Sequence, residues 1–312
     1  MELRRGLITV ITVVSLGWIL VPLTAPPASA ATSSVSCRSS SHRALAARLD
    51  RDIDRALRGR VSVVAVGVDD PGRGLHCWLN SSAHFDSASV VKVTILSALL
   101  RKAQAQHRYL TRTEAILAEE MITKSDNYAA SVLWDDVGRH DLQHFLNLAR
   151  MTQTYLGPGP YWGLTQITAY NEVLLLRLLV NQNRVLDTSS RDYVLGLMAR
   201  VIPAQRWGVP AGAPTTLTVH VKNGWLPLLT HGWRIHSIGT FTGRGGGYSI
   251  VVLTQDNPTM AYGIDTIEAI ARAINHDLNP AARSRVPSSE FSPSWGTPDE
   301  SVPTTAEISG AR

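Results

Sequence analysis

The chain has 312 residues, of which 44% are hydrophobic and 18% charged, and this composition predicts one domain of about 250 residues with tails. The formal net charge is +5, and lysine contributes only four of the positive residues. No run of like charges occurs along the chain, which argues against a nucleic-acid-binding surface.

The N-terminal segment has the three-part layout of a secretory signal peptide. Arg4 and Arg5 precede a long apolar run, and Ala28-Ser29-Ala30 then provides a small-residue cleavage site. A single membrane anchor is the alternative, but the run is near the short limit for a span and lacks a stop-transfer flank. We therefore expect residues 1–30 to be removed and the mature protein to be extracellular, with no stable membrane insertion.

The chain contains two cysteines, Cys37 and Cys77. Export would permit a disulfide between them, which would connect the mature N-terminus to a predicted strand. Two unpaired thiols are the alternative. The chain offers no cysteine-based metal site in either case.

Hydrophobic periodicity predicts the remaining elements in chain order. Residues 31–42 are rich in serine and are expected to be a flexible N-terminus. A helix follows at 43–57, where apolar residues recur at helical spacing, and strands at 60–69 and 75–80 form a hairpin. Helices are expected at 89–106, 112–123, 127–137, 140–150, 168–181 and 188–200, then strands at 216–221, 232–242 and 248–254, and a last helix at 264–277.

This order predicts an α+β fold. The early and late strands can form one antiparallel sheet flanked by the terminal helices, and the helices of about 86–212 form an inserted all-helical lobe. The domain would span 43–278, and the Ser/Pro-rich residues 279–312 are expected to be a disordered tail.

Ser89 and Lys92 are the first candidate catalytic pair. Residues three apart share one face of a helix, so the lysine amine could take the proton of the serine hydroxyl. The pattern alone occurs at the frequency of chance, and Ser89 could equally be a polar residue near the start of a buried helix.

Ser125-Asp126-Asn127 lies between two helical patterns and is the second candidate motif. All three residue types are good helix N-caps, so a helix stop followed by a cap is the structural alternative. The capping role and a role in a site are compatible.

Lys222-Asn223-Gly224 ends an apolar strand and is the third candidate motif. Glycine in a strand allows close approach of a ligand to the backbone, and the lysine adds positive charge. An edge-strand lysine that leads into a turn is the alternative.

Taken together and in this order, the three motifs resemble the S-x-x-K, S-D-N and K-[ST]-G set of class A β-lactamases and penicillin-binding proteins. The layout of elements over residues 43–278 is similar to that family as well. LTRTEAILAEEMITKSDNYAASVLW resembles the family's approach to its second motif, and GLTQITAYNEVLLLRLL resembles its helix after the active-site loop. The resemblance implies a serine hydrolase of the β-lactamase/transpeptidase-like fold.

The resemblance implies catalytic roles for four residues. Ser89 would be the acylated nucleophile, and Lys92 would accept its proton or form part of the relay. Ser125 would pass a proton toward the leaving group. Lys222 would position the Ser125 hydroxyl and bind the substrate anion.

It also implies substrate-binding and structural roles. Asn127 would bind a substrate amide, while Asn223 and Gly224 would line the substrate strand. The backbone N–H groups of Ser89 and Trp225 would form the oxyanion hole, and Asp126 would hold its own loop together. The substrate would be a small molecule or a peptide, and neither a cofactor nor a metal is expected.

Two departures from the family pattern bear on activity. Class A β-lactamases carry a glutamate on the active-site loop that activates the deacylating water, but this chain has no Asp or Glu between Asp141 and Glu172. Asn223 stands where the family prefers Ser or Thr, and the bulky Trp225 would lie beside the oxyanion hole. These differences predict acyl transfer through acyl-Ser89 with poor β-lactamase activity.

Several alternatives stay open from sequence. The protein could be a genuine class A β-lactamase with a substitute base, a D,D-peptidase or transacylase, or a non-catalytic binder of β-lactams or wall peptides. The chain has no G-x-S-x-G elbow and no H-E-x-x-H zinc spacing.

His140 and His144 could share a metal, although a solvated pair is the simpler interpretation. Arg234 and Arg244 could replace the missing hydroxyl in anion binding.

Overall fold

The computed structural model describes residues 34–227, 230–244 and 246–282. The predicted signal peptide and most of the predicted tail lie outside the described residues. The strands are β1 Ser36–Ser39, β2 Val63–Asp70, β3 Leu75–Leu79, β4 Phe85–Asp86, β5 Gln166–Ile167, β6 Thr218–Pro227, β7 Trp233–Gly243 and β8 Gly246–Asn257. The helices are α1 Arg43–Leu57, α2 Val91–Ala105, α3 Arg112–Glu119, α4 Asn127–Leu148, α5 Ala169–Val180, α6 Thr188–Ala199 and α7 Met260–Leu278.

The central sheet has six strands in the order β1-β3-β2-β8-β7-β6, and every pair is antiparallel. This agrees with the predicted α+β class, in which early and late strands share one sheet. Strand β6 lies at one edge of the sheet, and strands β4 and β5 form a separate two-stranded sheet.

The two terminal helices pack on one face of the sheet. In α1, Leu45, Leu49 and Ile53 recur at a spacing of four residues, and all three are buried. They join apolar residues of α7 and of the sheet in one hydrophobic core. Burial of each such side chain contributes about 1.5–3 kcal/mol, so the amphipathic pattern explains why α1 docks here.

A second hydrophobic core lies among the helices between β4 and β6. Helix α2 is at its centre and is buried nearly all round, which is typical of a helix inside a domain rather than on its surface. Within the part of the chain that the structure describes, no helix is long and apolar enough to cross a membrane.

Residues 36–39 differ from the expected flexible N-terminus because they form strand β1. This strand pairs with β3, and Cys37 and Cys77 face each other in the register and form a disulfide with an S–S distance of 2.02 Å. Four residues are too few for a period-two pattern to be visible in sequence. Pairing with β3 and the disulfide supply the order that the local sequence does not indicate.

Two helical boundaries also differ from the prediction. The two helices expected at 127–137 and 140–150 form one run, α4, which is broken at Gly138 by a non-helical backbone with φ 75° and ψ 153°. The helix expected at 112–123 ends as α3 at Glu119, and Glu120–Lys124 form a wider π-helical turn. Such turns are rare and occur preferentially at functional sites.

Candidate active site

Ser89 lies in a single 3-10 turn, Ala88–Val90, that leads directly into α2. The preceding residue, Ala88, has a positive φ of 46°, a backbone conformation that costs energy for a residue with a side chain. The strained turn directs Ser89 to a partly exposed position while its neighbours Ala88 and Val90 are buried. Ser89 is therefore accessible at the start of a buried helix. The first backbone N–H groups of a helix have no acceptor within the helix.

Lys92 follows one helical turn later and is fully buried. Its Nζ donates to the backbone carbonyl of Ser125 at 2.7 Å and lies 3.3 Å from Ser125 Oγ. It also donates to Oδ1 of Asn127. A buried lysine needs such partners because an uncompensated buried charge is costly. The first and second motifs are thus joined directly through this amine.

The Ser125-Asp126-Asn127 motif combines a strained residue with a helix cap. Ser125 has a left-handed backbone, with φ 61° and ψ 32°, where the π-helical turn ends. Asp126 is the N-cap of α4, and its side chain accepts the N–H of Ala129 at 2.7 Å. Asn127 is the first residue of α4. Asp126 therefore fixes the bend that places Ser125 and Asn127 beside Lys92.

Lys222 approaches the same hydroxyl from the sheet. Its Nζ lies 2.9 Å from Ser125 Oγ and donates to the carbonyl of Asn223 at 2.9 Å. The residue is fully buried, and this desolvation lowers the pKa of the Lys222 amine to about 7. Ser125 Oγ is therefore within hydrogen-bond distance of two buried amines, one from each neighbouring motif.

Gly224 allows β6 to approach the segment that carries Ser89. A Cβ at this position would lie 2.9 Å from the backbone N of Ser89 and 3.0 Å from the carbonyl of Ser87. Contacts this short would force a shift of the backbone, so only glycine fits without one. The third motif is thereby packed against the turn that holds Ser89.

Asn223 and Trp225 lie on the opposite face of β6 from Lys222 and Gly224, because side chains alternate along a strand. Asn223 is buried, and its Nδ2 donates to the carbonyls of Gln205 and Trp207, both at 2.9 Å. The expectation that this side chain lines the substrate site is corrected, since its amide hydrogens are used to hold residues 205–207.

Trp225 packs on that same face, with its ring centroid 6.1 Å from that of Trp207. The indole therefore does not lie beside Ser89, which corrects the expectation that its bulk would crowd an oxyanion hole. The backbone of Trp225 continues the sheet-edge strand past Gly224, so the predicted role of its N–H group does not depend on the side chain.

Sequence reasoning did not identify an anchor at Asp86, three residues before Ser89. Arg234 Nε lies 2.8 Å from Asp86 Oδ2, and Gln166 Nε2 donates to Asp86 Oδ1 at 2.5 Å. His236 Nδ1 accepts the N–H of Thr254 at 3.2 Å, so its Nε2 carries the hydrogen that it donates to the Asp86 carbonyl at 2.8 Å. Burial lowers the pKa of His236 to about 4, which agrees with a neutral ring.

This anchor connects the nucleophile segment to β7. It also corrects the anion-binding suggestion for Arg234, whose buried guanidinium is engaged by the Asp86 carboxylate and by the carbonyl of Thr230. Arg244 is exposed next to the β7–β8 turn, as expected of a surface arginine. The charged Asp86 beside the first motif was the available sequence signal, but its partner Arg234 lies 148 positions further along the chain.

A second missed residue is Trp162, which forms part of the wall beside Lys92. Its ring centroid lies 4.7 Å from Lys92 Nζ, and its indole N–H donates to Ser131 Oγ at 3.1 Å. The side chain is 1% exposed. A lone tryptophan in a loop rich in proline and glycine gives no periodic signal from which this position could be found.

Glu172 is the first acidic residue after Asp141. It lies in α5 and is fully buried, and neither of its carboxyl oxygens has a hydrogen-bond partner within the described residues. Desolvation raises the pKa of Glu172 to about 8, so the carboxyl group is largely protonated at neutral pH.

The structure describes no group of three or more His, Cys, Asp or Glu side chains that could hold a metal ion. His140 and His144 lie on the exposed side of α4, and His140 Nδ1 contacts the neighbouring Asp141 at 3.0 Å. This pair is therefore solvated, which is the simpler of the two interpretations of its spacing.

An antiparallel sheet with terminal helices on one face, a helical region and three converging motifs define a serine-hydrolase-like class. Residues 110–278, more than half of the chain, match the beta-lactamase enzyme family. The chain belongs to that family. No curated protein matches it.

Solved structures support the same fold. A class A beta-lactamase from Bacteroides cellulosilyticus DSM 14838 matches with a TM-score of 0.65 at 18% identity, covering 75% of this chain and 98% of the other. A beta-lactamase from Sphaerobacter thermophilus DSM 20745 matches with a TM-score of 0.64 at 20% identity, covering 76% and 99%. The TLA-3 extended-spectrum beta-lactamase matches with a TM-score of 0.67 at 16% identity, covering 74% and 98%. At these identities the likeness concerns the fold alone.

Proposed function

We propose that this protein is a secreted acyl-transfer enzyme that acts on an amide or ester, either a β-lactam or a D-Ala-type peptide. Ser89 Oγ attacks the substrate carbonyl carbon, and the carbon–nitrogen or carbon–oxygen bond to the leaving group breaks. The proton of the Ser89 hydroxyl is transferred to the leaving atom through Lys92 and Ser125. The product of this half-reaction is acyl-Ser89.

The observation that carries the proposal is the position of Ser125 between the two lysines. Its Oγ lies 3.3 Å from Lys92 Nζ and 2.9 Å from Lys222 Nζ. A hydroxyl held between two amines can receive a proton from one partner while it gives one to a leaving group. A purely structural capping role for Ser125 requires neither of these contacts.

The protonation of Lys222 suits this task. Its pKa of about 7 means that both forms of the amine are populated near neutral pH. The protonated form attracts a substrate carboxylate, and the neutral form accepts the proton of the Ser125 hydroxyl. The Ser89 N–H at the helix start and the Trp225 N–H on β6 would stabilise the oxyanion that forms during attack.

We expect the acyl group to be removed slowly by water. Hydrolysis of an ester at neutral pH needs a general base near the attacking water. Residues 150–168, which contain the active-site loop, include no Asp, Glu or His. Glu172 is largely protonated, and neither of its carboxyl oxygens has a hydrogen-bond partner among the described residues. Both observations favour accumulation of acyl-Ser89 over rapid β-lactam turnover.

A labelling experiment tests the proposal. The protein would be incubated with a fluorescent penicillin, and intact-mass spectrometry would measure the adduct on wild type and on Ser89→Ala. We expect one adduct that persists for hours on wild type and none on the variant. Absence of both an adduct and cephalosporin hydrolysis on wild type would contradict the proposal and favour the non-catalytic binder. Rapid hydrolysis of a chromogenic cephalosporin would instead indicate a genuine β-lactamase with a substitute base.

Secretion is tested separately. Expression of the full chain in a host with a general secretory pathway, followed by N-terminal sequencing of the extracellular product, should give a mature chain that begins after Ala30. Retention of the uncleaved chain in the membrane would support the anchor interpretation.

A further inference from the structure

Trp162 is held in a defined position above the Lys92 amine. Its ring face lies 4.7 Å from Lys92 Nζ, and its indole N–H donates to Ser131 on α4 at 3.1 Å. An aromatic face attracts a cation, and the attraction is larger where both groups are shielded from water. The ring is therefore fixed at two ends, by the amine below it and by the hydroxyl beside it.

The loop that carries Trp162 is hydrogen-bonded to the segment that carries Ser89. The N–H of Ser87 donates to the carbonyl of Thr165 at 2.8 Å, and β4 pairs with β5 directly beyond it. The Ser87 hydroxyl lies 3.4 Å from the carbonyl of Trp162. The loop that carries the indole and the turn that carries Ser89 are thus joined through Ser87, and the ring covers the Lys92 amine.

The chemistry of this wall is unfavourable for a water nucleophile. A water that attacks acyl-Ser89 must give up a proton to a base as its oxygen bonds to the carbonyl carbon. The indole can donate a hydrogen bond but cannot accept a proton, and its N–H is already used by Ser131. Trp162 is 1% exposed, so its ring is in contact with protein atoms rather than with solvent.

We infer that Trp162 protects acyl-Ser89 from hydrolysis by filling the space beside Lys92 with an apolar face. This inference rests on the proposed function, because it presupposes that Ser89 is acylated. Hydrolysis would form a bond from water oxygen to the acyl carbon and break the bond from that carbon to Ser89 Oγ, which regains a proton. An acceptor amine gives an amide and free Ser89 by the same exchange. Trp162 slows the first of these routes.

The test compares two tryptophans that contact the same loop. Trp162→Leu uncovers Lys92, whereas Trp134→Leu removes a buried indole that donates to the Gly159 carbonyl of the loop at 3.3 Å. Stopped-flow fluorescence with a fluorescent penicillin gives the acylation rate, and intact-mass spectrometry gives the lifetime of the adduct. A residue with a merely structural role would change both quantities together.

We expect Trp162→Leu to shorten the adduct lifetime by about tenfold while the acylation rate changes by less than about threefold. Trp162→Phe retains a ring and should give an intermediate lifetime, which keeps the test decisive if the leucine variant does not fold. Trp134→Leu should leave the lifetime near that of wild type.

The inference fails if the adducts of Trp162→Leu and Trp162→Phe keep the wild-type lifetime. It also fails if the acylation rate of Trp162→Leu falls in parallel with the adduct lifetime. Equal shortening by Trp134→Leu would also overturn it, because loosening of the loop would then suffice. If wild type itself forms no adduct, the proposed function fails first. The two failures are distinguishable, because wild type stays unlabelled only when the proposed function itself is wrong.

Discussion

Lys222 Nζ lies 2.9 Å from Ser125 Oγ, although 97 positions separate the two residues in the chain. The amine is fully buried, and its second contact is to the backbone carbonyl of the adjacent Asn223. This relationship connects the sheet to the helical region through one hydrogen bond. It also places a titratable cation where no solvent can compensate its charge, which makes its effect on stability measurable.

Replacement of Lys222 with Met should change the pH dependence of stability. The pKa of Lys222 falls from 10.5 to about 7 on folding, so between these values the unfolded chain binds a proton that the folded protein does not. The contribution of this group to the free energy of unfolding therefore rises with pH, by about 1.4 kcal/mol per pH unit in that window. Any stability gain of Lys222→Met over wild type should shrink by about 2 kcal/mol between about pH 7 and pH 9.

Urea unfolding of both proteins across this range measures the difference. Lys124→Met is the matched control, because Lys124 is exposed and is paired with Glu120 at 2.7 Å. Its difference from wild type should stay constant over the same range. A constant difference for Lys222→Met as well would mean that Lys222 does not titrate in the expected window.

Gly224→Ala should abolish most of the acylation without unfolding the protein. The added Cβ would lie 2.9 Å from the Ser89 backbone N, so β6 or the Ser89 turn must move apart. A displacement of about 1 Å in a reacting group can cost about 100-fold in rate. We expect an acylation rate at least about 100-fold below wild type, measured with a fluorescent penicillin.

Gly196→Ala provides the control for a glycine replacement. Gly196 is exposed within α6, and nothing lies within 4 Å of a Cβ placed there. This variant should keep the wild-type acylation rate and gain up to about 1 kcal/mol of stability from helix propensity. Wild-type acylation in Gly224→Ala would show that the close approach of β6 is not required.

Glu172→Leu should stabilise the protein more at high pH than at low pH. Burial raises the pKa of Glu172 from 4.5 to about 8, so the folded protein binds a proton in this window that the unfolded chain has released. Its contribution to the free energy of unfolding therefore falls as pH rises. The stabilisation by leucine should be about 3 kcal/mol larger at about pH 8 than at about pH 5.

Denaturant unfolding at the two pH values gives this difference directly. Glu119→Leu is a suitable control, because Glu119 is half exposed and pairs with Arg200 at 3.0 Å. A pH-independent gain for Glu172→Leu would indicate that Glu172 has an unrecognised partner that keeps it ionised.

Removal of the disulfide should lower stability but leave acylation intact. Cys37 and Cys77 are separated by 40 positions, and release of a loop of that length costs about 4 kcal/mol in the chain-entropy account. The double variant Cys37→Ala, Cys77→Ala should unfold at lower denaturant concentration, and reductant should not affect it further. Equal stability of the variant and oxidised wild type would contradict this account.

Much of the fold follows from local patterns in the sequence. Leu45, Leu49 and Ile53 mark α1 correctly because four-residue spacing places them on one buried face. Strand β1 was not predicted, since its order depends on β3 and on Cys77, which are distant in sequence. The break in α4 falls in the gap between the two predicted helices, and Gly138 tolerates the backbone angles found there.

The site was predictable where motifs have a fixed spacing. The structure joins Lys92, Ser125 and Lys222 by hydrogen bonds and packs β6 against the Ser89 turn, while the catalytic roles of these residues stay predictions. The orientation of Asn223 was available from strand alternation, since Lys222 and Gly224 on one face place it on the other. Trp162 and His236 were not predictable, because each contacts the motifs through tertiary packing that has no sequence period.

Two elements contact the segment that carries Ser89, the loop of residues 162–165 and strand β6, and they do so in different ways. Ser87 forms backbone and side-chain hydrogen bonds to Thr165 and Trp162, whereas β6 approaches the Ser89 turn through the close packing of Gly224. A substitution in β6 therefore acts on the Ser89 turn through packing, whereas a substitution in residues 162–165 acts on it through hydrogen bonds.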